Sequence, residues 1–164
     1  MTTYTLRRQQ YVDRPADDVF AFFSNAENLD LITPPHLRFA ILTSTPIEMR
    51  PGTVIDYRLR WRGVPIRWRT RIEQWDPSRR FVDVQLKGPY RLWHHTHLFE
   101  PLNAGTMMTD IVRYALPFGP LGRIVHAAFV QRDVEMIFEY RRRRIDELFA
   151  EHSFELTPER PHRR

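Results

Sequence analysis

Cysteine is absent from the 164 residues, so disulfides, Cys-ligated zinc and thiol nucleophiles are excluded. Lysine is almost absent too. Lys87 is the only one, so the net charge of +5 and the pI near 10.1 are carried by arginine. That excess suits an anionic partner, and it equally suits an arginine-rich genome. No apolar run approaches the ~20 residues that span a bilayer, and the opening MTTYTLRRQQYVD lacks the apolar stretch of a secretory leader. A soluble, cytoplasmic protein is expected. A chain of this length fits one domain that buries about 70% of its unfolded surface, here expected over residues 1–151. The stretch HSFELTPERPHRR (152–164) has little apolar content and is expected to be a disordered tail.

The sequence has only six glycines, and most lie next to or near a proline between apolar stretches: PG at 51, GVP at 63, GP at 88, FGP at 118. These mark turns. Between them, VIDYRLRW (54–61) and IRWRTRIEQW (66–75) alternate. Ile55, Tyr57, Leu59 and Trp61 share one face against Asp56, Arg58 and Arg60, and Ile66, Trp68, Thr70 and Ile72 oppose Arg67, Arg69, Arg71 and Glu73. Period two with one charged face predicts antiparallel strands wetted on one side. The RGVP segment predicts a hairpin in which Trp61 faces Ile66 and Tyr57 faces Thr70. FVDVQL (81–86), RLWHHTHLF (91–99) and TMMTDIVRYA (106–115) continue the meander, with an opening strand over Tyr4 to Val12 and a short one over Phe39 to Thr43.

Pro15 followed by Asp17, Asp18 and the apolar set Val19, Phe20, Phe22 and Phe23 predicts a short helix. A second short turn runs from Glu27 to Leu31 and stops before Pro34-Pro35. From about Pro120 to Phe149, with no Gly or Pro after Gly122, Val130, Val134, Ile137, Phe138, Ile145 and Leu148 recur at helical spacing, the mark of one long amphipathic helix. A curved antiparallel sheet wrapped around that helix buries both apolar stripes. Such a wrap leaves a hollow between them.

The segments RPADDVFAFFSNAENLDLITP, WDPSRRF, GPYRLWHHTHLFEP and GTMMTDIVRYALPFGPLG, with the long terminal helix, resemble the SRPBCC superfamily of START-like, polyketide cyclase/dehydrase-like ligand-binding domains. The resemblance covers residues 3 to 150. It implies an α+β helix-grip fold, with a seven-stranded curved antiparallel sheet gripping the C-terminal helix around a hydrophobic cavity. It implies lipid, sterol, hormone or polyketide ligands, and no metal. No cofactor-binding motif is present.

Extending the alternation places Phe81, Asp83 and Gln85 on the inner face with Trp68 and Thr70, and Trp93, His95, His97 and Phe99 inward with His94 and Thr96 outward. In 106–115 the favoured inner set is Met108, Asp110, Val112 and Tyr114, although Met107 and Ile111 would serve equally well. Asp83, Gln85, His95, His97, Asp110 and Tyr114 then converge on one wall. Buried polar groups cost about 1–3 kcal/mol each when unpaired, so the cluster either satisfies itself or receives a ligand. His95 and His97 lie about 7 Å apart along one strand face, a spacing zinc can use, yet no third histidine is near on that face. A histidine beside a carboxylate also suits general acid–base work near neutral pH, with His95, His97 and Asp110 as catalytic candidates. Arg141 falls in the apolar arc of the terminal helix, where it serves either as an ion-pair partner of Asp83 or Asp110 or as an anchor for a ligand carboxylate or enolate.

On the outer face the expected hairpin sets Arg60 opposite Arg67 and Arg58 opposite Arg69, a like-charge stripe that is either solvated or meets an anionic partner. No base-stacking aromatics or helix-turn-helix pattern accompany it, which argues against specific nucleic-acid recognition. The reading that results is a protein binding a small hydrophobic molecule between sheet and helix, against Tyr57, Trp68, Thr70, Trp93, Phe138 and the polar wall. The alternatives are an aromatase/cyclase-type enzyme and an interaction module using the basic face. Monomer and dimer are both compatible.

Overall fold

The alternating segments become the strands of one sheet. In the computed structural model, which describes residues 2–150, these are β1 (Tyr4–Val12), β2 (Ala40–Ile41), β3 (Val54–Trp61), β4 (Val64–Asp76), β5 (Arg80–Lys87), β6 (Leu92–Leu102) and β7 (Gly105–Ala115). They pair antiparallel in the order β1-β7-β6-β5-β4-β3-β2. Pro15 caps α1 (Ala16–Ser24), whose Val19, Phe20, Phe22 and Phe23 are buried, and a 3-10 turn (Ala26–Ile32) follows. The described residues close with a helical run made of α2 (Gly119–Val125), one π turn (His126–Val130) and α3 (Gln131–Ala150). The tail expected over 152–164 lies outside the described residues.

Two features differ from the sequence reading. The β3–β4 hairpin turns on Arg62 and Gly63 alone, both at positive φ (50° and 84°), so Trp61 pairs with Val64 and Tyr57 with Trp68. This is the tight turn whose twist matches that of the strands, and it lets Val64 and Pro65 extend β4. The shift of two residues keeps every side chain on its face but changes its neighbour. Asp56 now lies opposite Arg69 and accepts two hydrogen bonds from it, both 2.8 Å, while Arg60 faces Pro65. Only Arg58 and Arg67 remain directly opposite as like charges between these strands, so the basic stripe is shorter than expected. The second difference is the π turn. At its start the buried His126 ring stacks on Tyr4, with centroids 3.4 Å apart, and its Nε2 lies 2.9 Å from the Tyr114 hydroxyl.

Apolar packing divides into two clusters. At one end Phe20, Phe22 and Phe23 of α1 meet Phe81, Phe99, Met108 and Ile145. Toward the other, Leu6, Val112 and Tyr114 of β1 and β7 meet Val130, Val134 and Phe138. The pairing of β1 with β7 is close at the β6–β7 turn, where a Cβ on Gly105 would stand 2.4 Å from the Val12 carbonyl and 2.6 Å from the Tyr11 hydroxyl. Gly105→Ala is therefore expected to lower stability by about 1–3 kcal/mol through overpacking. Urea denaturation measures this, and an unchanged midpoint would mean that the β1 edge yields freely.

Candidate functional site: a cavity with a charged floor

Between the inner face of the sheet and α3 lies a cavity of about 490 Å³, within the 300–1,000 Å³ common for small-molecule sites. The alternation of β3 and β4 sends Ile55, Tyr57, Leu59, Trp68 and Thr70 into it, while α3 contributes Val134 and Phe138. Aromatic rings form much of the wall. Trp68 stacks against Tyr57 at 5.9 Å and meets Trp93 edge-on at 5.2 Å, and its indole N–H donates to Thr70 Oγ1 at 3.1 Å. Exposed Phe118 and Leu121, from the β7–α2 junction, also belong to the lining. Across the cavity the Trp61 indole N–H donates to Asp133 Oδ2 at 2.7 Å, and Arg62 donates to both Asp133 oxygens at 3.1 Å. These bonds tie the β3–β4 hairpin to α3.

The polar groups gather at one place. His95 and His97 are buried side by side on β6, with ring centroids 3.7 Å apart. A carboxylate only accepts, so the ring nitrogen facing it carries the proton. His95 Nε2–H donates to Asp110 Oδ1 at 2.9 Å, and His97 Nε2–H donates to Asp83 Oδ2 at 3.1 Å. His97 Nδ1 also lies 2.9 Å from Asp110 Oδ1, poorly aligned for a hydrogen bond. Arg141 Nε stands 4.0 Å from Asp110 Oδ2.

The charges follow from these contacts. Burial works against a proton on His97, but the adjacent Asp110 and Asp83 carboxylates outweigh it and raise its pKa above 6.5. Burial, reinforced by the neighbouring His97 charge, lowers that of His95. Burial would raise the Asp110 pKa, yet the Arg141 charge and the two imidazoles hold it well below 3.8. Asp83 is likewise lowered against the cost of burial, chiefly by its bond from His97. The shifts thus favour a proton on His97 over one on His95, beside two carboxylates and Arg141, and leave His95 the more readily neutral of the pair. Its Nδ1, 3.6 Å from Asp83 Oδ2, keeps a lone pair in the floor of the cavity.

The ligand atoms of Asp83, His95 and His97 lie within 4.8 Å of one another and could hold a divalent cation. Such an ion would have to displace the proton that His97 Nε2 shares with Asp83.

The profile of the family described as polyketide cyclase/dehydrase and lipid transport matches residues 12–139. The chain belongs to this family. Solved structures with the same fold include protein CV1439 from Chromobacterium violaceum (13% identity, TM-score 0.69, 88% of this chain and 96% of that one). The Zhui aromatase/cyclase from Streptomyces sp. R1128 is similar too (17% identity, TM-score 0.68, 91% and 94%). So is TTHA0849 from Thermus thermophilus (19% identity, TM-score 0.62, 88% and 99%). No curated protein matches in sequence. At these identities the likeness shows the fold alone, the SRPBCC helix-grip fold. In keeping with it, no helix among the described residues is long and apolar enough to cross a membrane.

In this polyketide cyclase/dehydrase and lipid transport domain, Tyr57, Trp68, Thr70, Asp83, Trp93, His95, His97, Phe138 and Arg141 all line the cavity. The other candidates do not. Gln85 lies beyond the end of the β5–β6 pairing, where its carboxamide donates to the Tyr90 carbonyl at 2.6 Å and accepts from the Tyr90 N–H at 3.3 Å. Asp110 sits behind the two imidazoles, and Tyr114 turns its hydroxyl to His126. Sequence reasoning missed the Trp61–Arg62–Asp133 tie and the lining role of Phe118 and Leu121. Trp-Arg-Gly at a tight hairpin was a signal for the first, but its partner lies 72 residues away from Trp61. Nothing local pointed to the second.

Proposed function

We propose that the protein binds a small, largely apolar molecule in the cavity between the sheet and α3. The observation that carries this reading is the cavity itself. Its volume of about 490 Å³ is walled mainly by aromatic and aliphatic side chains, with a smaller number of polar groups that include Asp83, His95, His97 and Arg141, the composition expected where a few polar contacts orient an apolar ligand. Native mass spectrometry of protein purified from its own host should show a co-purifying small molecule. In a thermal-shift screen of lipids and aromatic compounds, at least one class should stabilise the wild type, and Ile137→Trp, which grows from α3 into the lined space, should abolish that shift. An empty protein with no shift from any compound would overturn the reading.

A second reading, turnover of a polyketide-like substrate, is favoured by the neutral His95. Its Nδ1 lone pair is a base in a largely water-excluded floor, and the Asp110 carboxylate orients the ring through Nε2–H. His97 is poorly suited to the same role, because its two nitrogens stand 3.1 and 2.9 Å from carboxylate oxygens, whereas His95 Nδ1 is 3.6 Å from its nearer one, Asp83 Oδ2. On this reading His95→Ala abolishes conversion while affinity persists, and His97→Gln leaves turnover measurable. Conversion by His95→Ala at the wild-type rate would eliminate His95 as the base.

A further inference from the structure

Arg141 lies in the wall of the cavity with a side chain only 10% exposed. It donates no hydrogen bond to any of the described residues, and its Nε is a buried donor without a partner among them. The Asp110 carboxylate is near but does not satisfy it. The approach is through Nε at 4.0 Å, beyond hydrogen-bond reach, and the other Asp110 oxygen already accepts from His95. The rings of Phe23 and Phe138 lie 5.2 and 5.7 Å from the guanidinium carbon. Their faces stabilise the charge and fix the plane of the group, but they offer no oxygen to its five N–H donors. A small void of about 20 Å³ against Arg141, Asp110 and Phe138 has room for one water, which can take up only part of that capacity.

We propose that the cavity receives an apolar acid, whose carboxylate docks on the Arg141 guanidinium while its hydrocarbon or aromatic body fills the space toward Trp68 and Trp93. This rests on reading the cavity as a small-molecule site. A carboxylate matches the planar fork of a guanidinium with two parallel hydrogen bonds, which a single carbonyl or hydroxyl cannot do. Asp110 does not oppose it, because its charge is shared with His95 and His97, and it faces Arg141 through Nε. The guanidinium then bridges an internal carboxylate on one edge and the ligand's on another. The apolar surroundings strengthen the choice, since an acid's charged end finds among the described residues of this lining only one cation that is not already hydrogen-bonded.

The test compares matched probes by isothermal titration calorimetry: laurate against methyl laurate, and 2-naphthoate against methyl 2-naphthoate. Wild-type protein is expected to bind at least one acid about tenfold or more tightly than its ester. Arg141→Met should lose that preference, acid and ester binding alike, and Arg141→Lys, which keeps the charge but not the fork, should retain part of it. If an acid and its ester bind equally to the wild type, or if the preference survives in Arg141→Met, the assignment of Arg141 is wrong while the cavity remains a binding site. The wild-type comparison stands even if a variant fails to fold. Failure of all four probes, with no small molecule co-purifying from the host, would remove the binding reading and this assignment together.

Discussion

Asp110→Ala is expected to lower the free energy of unfolding by about 3–5 kcal/mol, the cost typical of breaking a buried ion pair by removing one partner. Asp110 is nearly inaccessible, with a side chain 8% exposed, and it neighbours His95 at 2.9 Å, His97 at 2.9 Å and Arg141 at 4.0 Å. Without it, two cations share the single remaining carboxylate, Asp83. The pH dependence should change in step. Asp110 has a folded pKa well below its ordinary value of 3.8, so its contribution is full above that value and is lost as pH falls through the folded pKa. The histidines act in opposite senses. His97, raised above 6.5, contributes fully below 6.5, and that contribution is lost as pH rises through its folded pKa. His95, lowered, contributes above 6.5 and loses that contribution as pH falls below it. Removing Asp110 takes a neighbouring negative charge from His97, so its pKa should drop toward the ordinary value. Guanidinium denaturation across pH, with NMR titration of the two imidazoles, measures both effects. A loss under about 1 kcal/mol with an unshifted His97 would show that the cluster is not held by charge pairing.

Phe99→Ala is expected to cost a similar amount, about 3–5 kcal/mol, for an unrelated reason. Phe99 is 1% exposed at the closed end of the sheet, where its ring meets Phe20 at 5.4 Å, Phe23 at 5.7 Å and Phe81 at 6.0 Å. Truncation removes these contacts and leaves a void that the surrounding rings fill only in part, since α1 is held by several aromatic side chains at once. His97, two residues back on the same strand face, stacks on Phe81 at 4.0 Å. The loss should therefore loosen the charged floor as well as the core. Denaturation gives the energy, and the imidazole resonances of His97 report the coupling. Phe99→Leu should recover much of the stability, and equal losses in both variants would point to a ring-specific contact rather than to volume.

These two residues also show how much of the molecule can be read in one dimension. The opening strand, Tyr4 to Val12, falls where the sequence puts it, and Pro15 with the acidic pair after it announces α1. The inward direction of His95, His97 and Phe99 follows from alternation, as does that of Met108, Asp110, Val112 and Tyr114, which the structure buries in preference to Met107 and Ile111. The hairpin register was not legible, because a four-residue and a two-residue loop through RGVP preserve the same alternation. Only pairing distinguishes them, and it decides whether Arg69 meets Arg58 or Asp56. Gln85 shows the other failure. Its parity is inward, but the β5–β6 ladder ends before it, and a side chain past the end of a ladder bonds to the turn beside it.

The sequence by itself determined which side chains face the interior, because the direction of a side chain along a strand or helix is a local property of period 2.0 or 3.6. It also determined the order of the elements, and its segments carry the resemblance to the family. Tertiary structure alone decided the distances between groups that those faces carry. The β6–β7 register, which pairs His97 with Asp110, sets that carboxylate against the imidazoles. The packing of α3 brings Arg141 within 4.0 Å of it without a hydrogen bond. Whether a buried cation is satisfied depends on tenths of an ångström across segments far apart in the chain, a quantity no periodicity encodes.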